Sequence, residues 1–180
     1  RLTNSGHILG STFVEIKHHD GHFTFSGDLG RPHPITLEPR ESLKGADYLV
    51  VESTYGDRVH SREDPKSALR KLISDTMGRG GNLIIPTFAL GRAQDILHLI
   101  GELKSSREIP DVPVFLDSPM ANRATALFDR YPEWHAVLSS PKLKDTFQCV
   151  GSANHSMAIC QSKDPAIVLA GSGMLNGGRV

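Results

Sequence analysis

Cysteine is scarce: the 180-residue chain has two, Cys149 and Cys160, without C-x-x-C spacing. That excludes a disulfide framework and a zinc ribbon, and implies buried thiols in a reducing compartment, the cytoplasm by default. Net charge is lacking too. Lys plus Arg number 20 and Asp plus Glu number 20, so no global basic field draws nucleic acid and any polyanion site must be local. No apolar run approaches the roughly 20 residues that cross a bilayer, and Arg1–His7 has no apolar core of a leader. A soluble protein with no membrane partner is expected. Internal repeats and low-complexity segments are missing. So is an opening Met, and the chain stops at Gly177–Val180 just after an apolar strand pattern, so a piece of a longer protein is expected.

The length suits one domain with a real core, or one domain and part of a second. Residues 12–17 and 22–26 are rich in Phe, Val, Ile and Thr, and Asp20-Gly21 between them signals a hairpin. Its tip holds His18-His19-Asp20-Gly21-His22. Strand neighbours point to opposite faces, so these histidines should not converge, and a polar hairpin tip accounts for them. A linker-like stretch follows Pro32 and Pro34. Asp47–Glu52 then reads as a strand buried on both faces.

From there the rhythm alternates. Asp64 can cap a helix with Pro65 at its first position, and Leu69, Leu72, Ile73, Thr76 and Met77 fall at helical spacing until Gly78 and Gly80. Asn82–Pro86 reads as a strand, and Gly91–Lys104 as a helix with Ile96, Leu97, Ile100 and Leu103 on its inner face. Pro113–Asp117 is a strand, Ser118-Pro119 opens a helix ending before Pro132, Ser152 caps another, and Ala166–Ala170 is the last strand. This βαβ order predicts an α/β fold with a parallel, doubly wound sheet over about 47–170.

Ligands of open α/β sheets sit beyond the carboxyl ends of strands. Three loops fall there: Thr87–Arg92, Asp117–Met120 and Gly171–Met174. Helix-start amides and glycines suit a phosphate, although such turns also cap helices everywhere, and Arg92 equally suits a solvated helix surface. In Phe25-Ser-Gly-Asp28-Leu-Gly-Arg31, glycines bracket one carboxylate at a strand end; a plain turn remains the alternative. His7 is flanked by Gly6 and Gly10. Together His7, Asp28 and Glu52 offer imidazole and carboxylate donors of the kind that suit zinc.

At these residues the chain resembles the metallo-β-lactamase-fold β-CASP nucleases. The resemblance rests on Gly6-His7-Ile8-Leu9-Gly10-Ser11, Phe25–Arg31, Val50-Val-Glu52-Ser-Thr-Tyr-Gly56, Ile85–Gln94, Phe115–Ala121 and Leu169–Met174, in matching order across nearly the whole chain. The wording is most similar to prokaryotic members. The resemblance implies part of a metallo-β-lactamase αββα sandwich over 1–58, a β-CASP cap over 59–165, and the last cap strand with the return to the sandwich over 166–180. It implies hydrolysis of RNA phosphodiesters by water activated on two zinc ions. His7 would be a ligand of one zinc, Asp28 would bridge both, and Glu52 would orient a later histidine. Ser118, Ser172 and Gly173, with Arg92, would contact the backbone of single-stranded RNA under the cap. A homodimer is left open.

The chain also departs from the pattern. No H-x-H-x-D-H precedes His7, and the two histidines of the closing motifs are absent. Two first zinc positions fall short of the three or more protein ligands of a catalytic site, so these residues alone are expected to bind zinc weakly and to cleave RNA poorly or not at all. Competing readings are a non-catalytic RNA- or phosphate-binding α/β module, which lacks the Gly-rich loop it should carry, and a DNA-processing nuclease of the same superfamily.

Overall fold

The computed structural model describes residues 1–135, 146–172, 174, 175 and 177–179. It divides into two compact units, Arg1–Ser61 with Glu133–Ala136, and Arg62–Pro132 with Val137–Val180.

The first unit is a four-stranded sheet in the order β1-β2-β3-β4, with β1 at Leu2–Asn4, β2 at Thr12–His18, β3 at Gly21–Phe25 and β4 at Tyr48–Val50. The hairpin falls where Asp20-Gly21 put it: β2 and β3 pair antiparallel, His18 opposite Gly21 and Val14 opposite Phe25. Strand β1 was not anticipated; it adds to β2 with Leu2 opposite Val14.

Strand β4 corrects two expectations. It pairs parallel with β3, Phe25 opposite Val50, and so belongs to this sheet rather than opening the parallel one. It is also exposed throughout instead of buried on both faces. Two physical features account for this. Phe23 stacks on Tyr48 with ring centroids 4.7 Å apart, which holds β4 against β3, and among the described residues β4 is an edge strand with nothing laid over either face. The register puts Leu2, Val14, Phe25 and Val50 in one row across the sheet, and Ile16, Phe23 and Tyr48 in the next. This apolar face is largely exposed, whereas the opposite face buries Thr3, Phe13, Glu15 and Thr24.

The second unit is built on a parallel sheet in the order β5-β8-β6-β7. Its strands are β5 at Leu83–Thr87, β6 at Val114–Asp117, β7 at Gln148–Cys149 and β8 at Ile167–Gly171. The helices are α1 at Pro65–Gly78, α2 at Arg92–Ser105, α3 at Pro119–Arg130 and α4 at Ala153–Gln161. The starts anticipated from sequence are the observed ones. Asp64 accepts the Ser67 amide at 2.9 Å, Ser118 the Ala121 amide at 3.2 Å and Ser152 the His155 amide at 3.1 Å, each satisfying a donor left free at a helix start. Gly91, at φ +81°, precedes α2 in a conformation that L side chains rarely adopt. Its amide donates to the fully buried Gln94, whose own amide reaches Thr125 of α3 at 2.9 Å. One buried side chain thereby links two helices.

Ile73, Leu97, Ile100, Leu103, Leu116, Ile167 and Leu169 form the core of this unit. The inner faces of α1 and α2 are as expected with one exception. Leu72 is 56% exposed: at about 100° per residue it lies at the margin of the buried stripe, about 60° from Leu69 and about 100° from Ile73. The cysteines depart as well: both are free and exposed rather than buried. Cys149 lies on the two-residue β7, a strand the sequence did not announce. No helix of the described residues is long and apolar enough to cross a membrane.

Leu97 is 1% exposed at the centre of this core. Leu97→Ala should lower the unfolding free energy of this unit by about 2–5 kcal/mol, as a buried cavity does, in a denaturant titration. A loss under ~1 kcal/mol would mean that the core closes around the gap.

Candidate metal centre

Three segments at one end of the first sheet meet: the loop after β1, the loop after β3 and the chain leaving β4. The loop after β1 is closed by serines. Ser5 N–H donates to the Ser11 carbonyl at 3.1 Å, and the Ser11 hydroxyl oxygen accepts the amides of His7 and Ile8 at 3.0 and 3.1 Å. Gly6 turns the chain at φ +66°. The loop after β3 turns at Gly27, φ +53°.

The two loops are joined backbone to backbone. Gly30 N–H donates to the Ser5 carbonyl at 2.9 Å, and the approach is so close that a Cβ on Gly30 would lie 2.0 Å from the Gly6 oxygen. Only glycine fits there. Sequence reading assigned Gly30 to the turn beside Asp28. The structure adds that it is the point of contact with the His7 loop.

That contact brings His7 Nε2 to 3.7 Å from Asp28 Oδ2. Both side chains are solvent-accessible, 43% and 71%, so they present a donor pair to the outside. Glu52 holds the third side. Its Oε1 accepts the Leu29 amide at 2.6 Å, and its Oε2 accepts the Thr54 hydroxyl at 2.6 Å. Its own amide donates to the Ser26 hydroxyl at 3.1 Å. Glu52 therefore clamps both neighbours of the Gly27-Asp28 turn and leaves Asp28 free to face His7.

The predicted phosphate residues lie in the second unit. Ser118 is buried, and its hydroxyl is engaged in capping α3. Gly171 abuts it so closely that a Cβ there would lie 2.7 Å from Ser118 Oγ, and Ser172 follows Gly171 in the chain. Arg92 is exposed on the first turn of α2. Gly173 lies outside the described residues. Sequence reading missed a buried carboxylate beside them: Asp117, 2% exposed, accepts from the Ser156 hydroxyl and from Arg179 Nη1 at 3.0 Å. The same Arg179 nitrogen reaches the Ser152 carbonyl at 3.0 Å. An Asp closing an apolar strand was a visible signal, but no spacing links position 117 to 179.

Comparison with known proteins gives one family match, the Beta-Casp domain, over residues 93–180. The chain is 34% identical to ribonuclease TTHA0252 of Thermus thermophilus over 186 residues, 98% of this chain and 42% of that protein. It is 34% identical to an RNase J-like protein of Methanocaldococcus jannaschii, over 100% of this chain and 44% of that one. Against transcription termination factor FttA of the same archaeon it is also 34% identical, over 98% of this chain and 30% of the relative. The chain thus spans less than half the length of these curated relatives.

The Thr54 hydroxyl first, and the Leu29 amide next, hold the Glu52 carboxyl below the usual carboxylate range. A lowered folded value means that the clamp is fully present above the unfolded glutamate range and is lost as pH falls through the folded value. The amide resonances of Leu29 and Thr54 should accordingly stay fixed near neutrality and move only in acid below the ordinary glutamate range. Glu52→Gln should abolish that acid transition; its persistence in the variant would assign it to another group.

Proposed function

We propose that this chain, which belongs to the β-CASP family, forms part of a zinc-dependent ribonuclease and supplies to it one wall of the metal centre and the β-CASP cap. In this reading residues 1–58 are a segment of the metallo-β-lactamase domain, 59–165 the cap, and 166–180 the last cap strand with the start of the return to the metallo-β-lactamase domain. The observation that carries it is the approach of His7 Nε2 and Asp28 Oδ2 to 3.7 Å on two loops locked by a glycine contact.

The donors fit zinc. Imidazole nitrogen and carboxylate oxygen bind it at about 2.0–2.2 Å, so two ligands of one ion stand some 3.3 Å apart, and the pair needs only a small closure. His7 would hold one ion, and Asp28, with a second oxygen to offer, would bridge to another. Bound zinc supplies a water of pKa near 7 and neutralises charge growing on a phosphate. The chain's own residues do the rest. Glu52 fixes the Leu29 amide and hence the direction of Asp28, the part played by groups behind a metal ligand. The remaining ligands come from outside this chain's two donors.

Single-stranded RNA is the proposed substrate. The names of two relatives, ribonuclease and RNase J-like protein, support an RNA substrate, and the neutral overall charge calls for local phosphate contacts. Arg92, exposed at the start of α2, and Ser118, Ser172 and Gly173 are the proposed contacts. They would read backbone rather than base edges, so selection would rest on access and strandedness.

The test uses the full-length protein that carries this chain, with a 5′-labelled single-stranded RNA and added zinc. Asp28→Asn should lower the cleavage rate by about a hundredfold or more, the scale of removing one preorganised charge-stabilising group, while RNA binding is retained. Cleavage that is unchanged in the variant, or undiminished by a chelator, would exclude the proposed centre.

A further inference from the structure

The hairpin tip departs from the expectation that its histidines diverge. Alternation of side chains holds within a strand, but His19 and Asp20 form the turn itself, where the backbone reverses and the rule no longer applies. The Asp20 carboxylate reaches a nitrogen of each ring. One carboxylate oxygen is 3.1 Å from His18 Nδ1 and the other 3.1 Å from His19 Nε2, with the ring centroids 3.9 Å apart.

His22, the third histidine of the run, is not part of this group. It lies on β3, its amide is taken by Asp47 at 2.7 Å, and its ring nitrogen Nε2 is buried.

We propose that His18, His19 and Asp20 form a surface site for one divalent transition-metal ion, separate from the His7–Asp28 centre. Two arguments carry it. The donor set, two imidazole nitrogens and a carboxylate, is the one that zinc, nickel and copper ions prefer, and not one for calcium or magnesium. The spacing fits: one ligand atom from each residue lies within 4.8 Å of the others, and a tetrahedral zinc with bonds near 2.0–2.1 Å places ligand atoms about 3.3 Å apart. The ion would hold the carboxylate and the two ring nitrogens together. Water would fill the open positions, since all three residues are exposed.

The two centres cannot share an ion. They lie at opposite ends of β3, whose five residues alone extend roughly 14 Å at about 3.4 Å per residue. The tip offers three protein ligands where His7 and Asp28 offer two, so in this chain the tip binds the first equivalent.

Zinc titration of the 180-residue chain, followed by the imidazole and amide resonances of each histidine, tests this. The expected result is that His18, His19 and Asp20 shift together toward a 1:1 end point, before His7, and do so equally in a His7→Ala/Asp28→Asn variant. His18→Ala/His19→Ala should weaken this binding tenfold or more and leave the rest of the spectrum in place. The proposal is overturned if the tip resonances do not move with zinc, or if they move only when His7 and Asp28 are intact. Because the readout is local, loss of catalysis in the longer protein would not affect it.

Discussion

The candidate metal centre depends on a contact that leaves no room for a side chain. Gly30 lies against the Ser5–Gly6 peptide, its amide hydrogen-bonded to the Ser5 carbonyl, at a distance that excludes a Cβ. Each of the two loops is closed by its own bonds, the Ser11 hydroxyl within one and the Glu52 carboxylate against the other. What those bonds cannot do is set one loop against the other. The glycine contact does, and it is how two residues 21 positions apart in the chain come within 3.7 Å.

The two units stabilise themselves differently. The parallel sheet of the second unit has an aliphatic core under α1 and α2, with its helix starts capped by Asp64, Ser118 and Ser152. The first unit buries hydroxyls and a glutamate on one face of its sheet. Thr3 donates to Glu15 at 3.2 Å, and Arg1 lies 3.6 Å from the same carboxylate, so that buried charge is matched. Its other face carries Leu2, Val14, Ile16, Phe25, Tyr48 and Val50 to the solvent.

Most of the second unit could be read from the chain because local chemistry decides it. Pro65 and Pro119 at first helical turns, the oxygen-bearing caps before them and the stripe Leu97–Ile100–Leu103 act over three or four residues. Long-range choices were less legible. Nothing within Tyr48–Val50 says whether it joins β3 or β5, and an apolar run looks buried until the pairing is known. Leu2–Asn4 is too short to declare itself as a strand. The His18–Asp20 cluster was misread because a strand rule was applied to a turn. The candidate metal residues were marked by the glycines around them, although the partner of Gly30 was not, since a close approach leaves no trace in the residues that make room for it.

The most direct test of this account is the hydrogen exchange of the residue-30 amide in Gly30→Ala, with the overall fold monitored by the resonances of the second unit. The account predicts that the amide loses its bond to the Ser5 carbonyl and exchanges at least tenfold faster. Nuclear Overhauser contacts between the 5–7 and 28–30 loops should disappear while the second unit is unchanged. Retention of the protected amide and of those contacts in the alanine variant would contradict it.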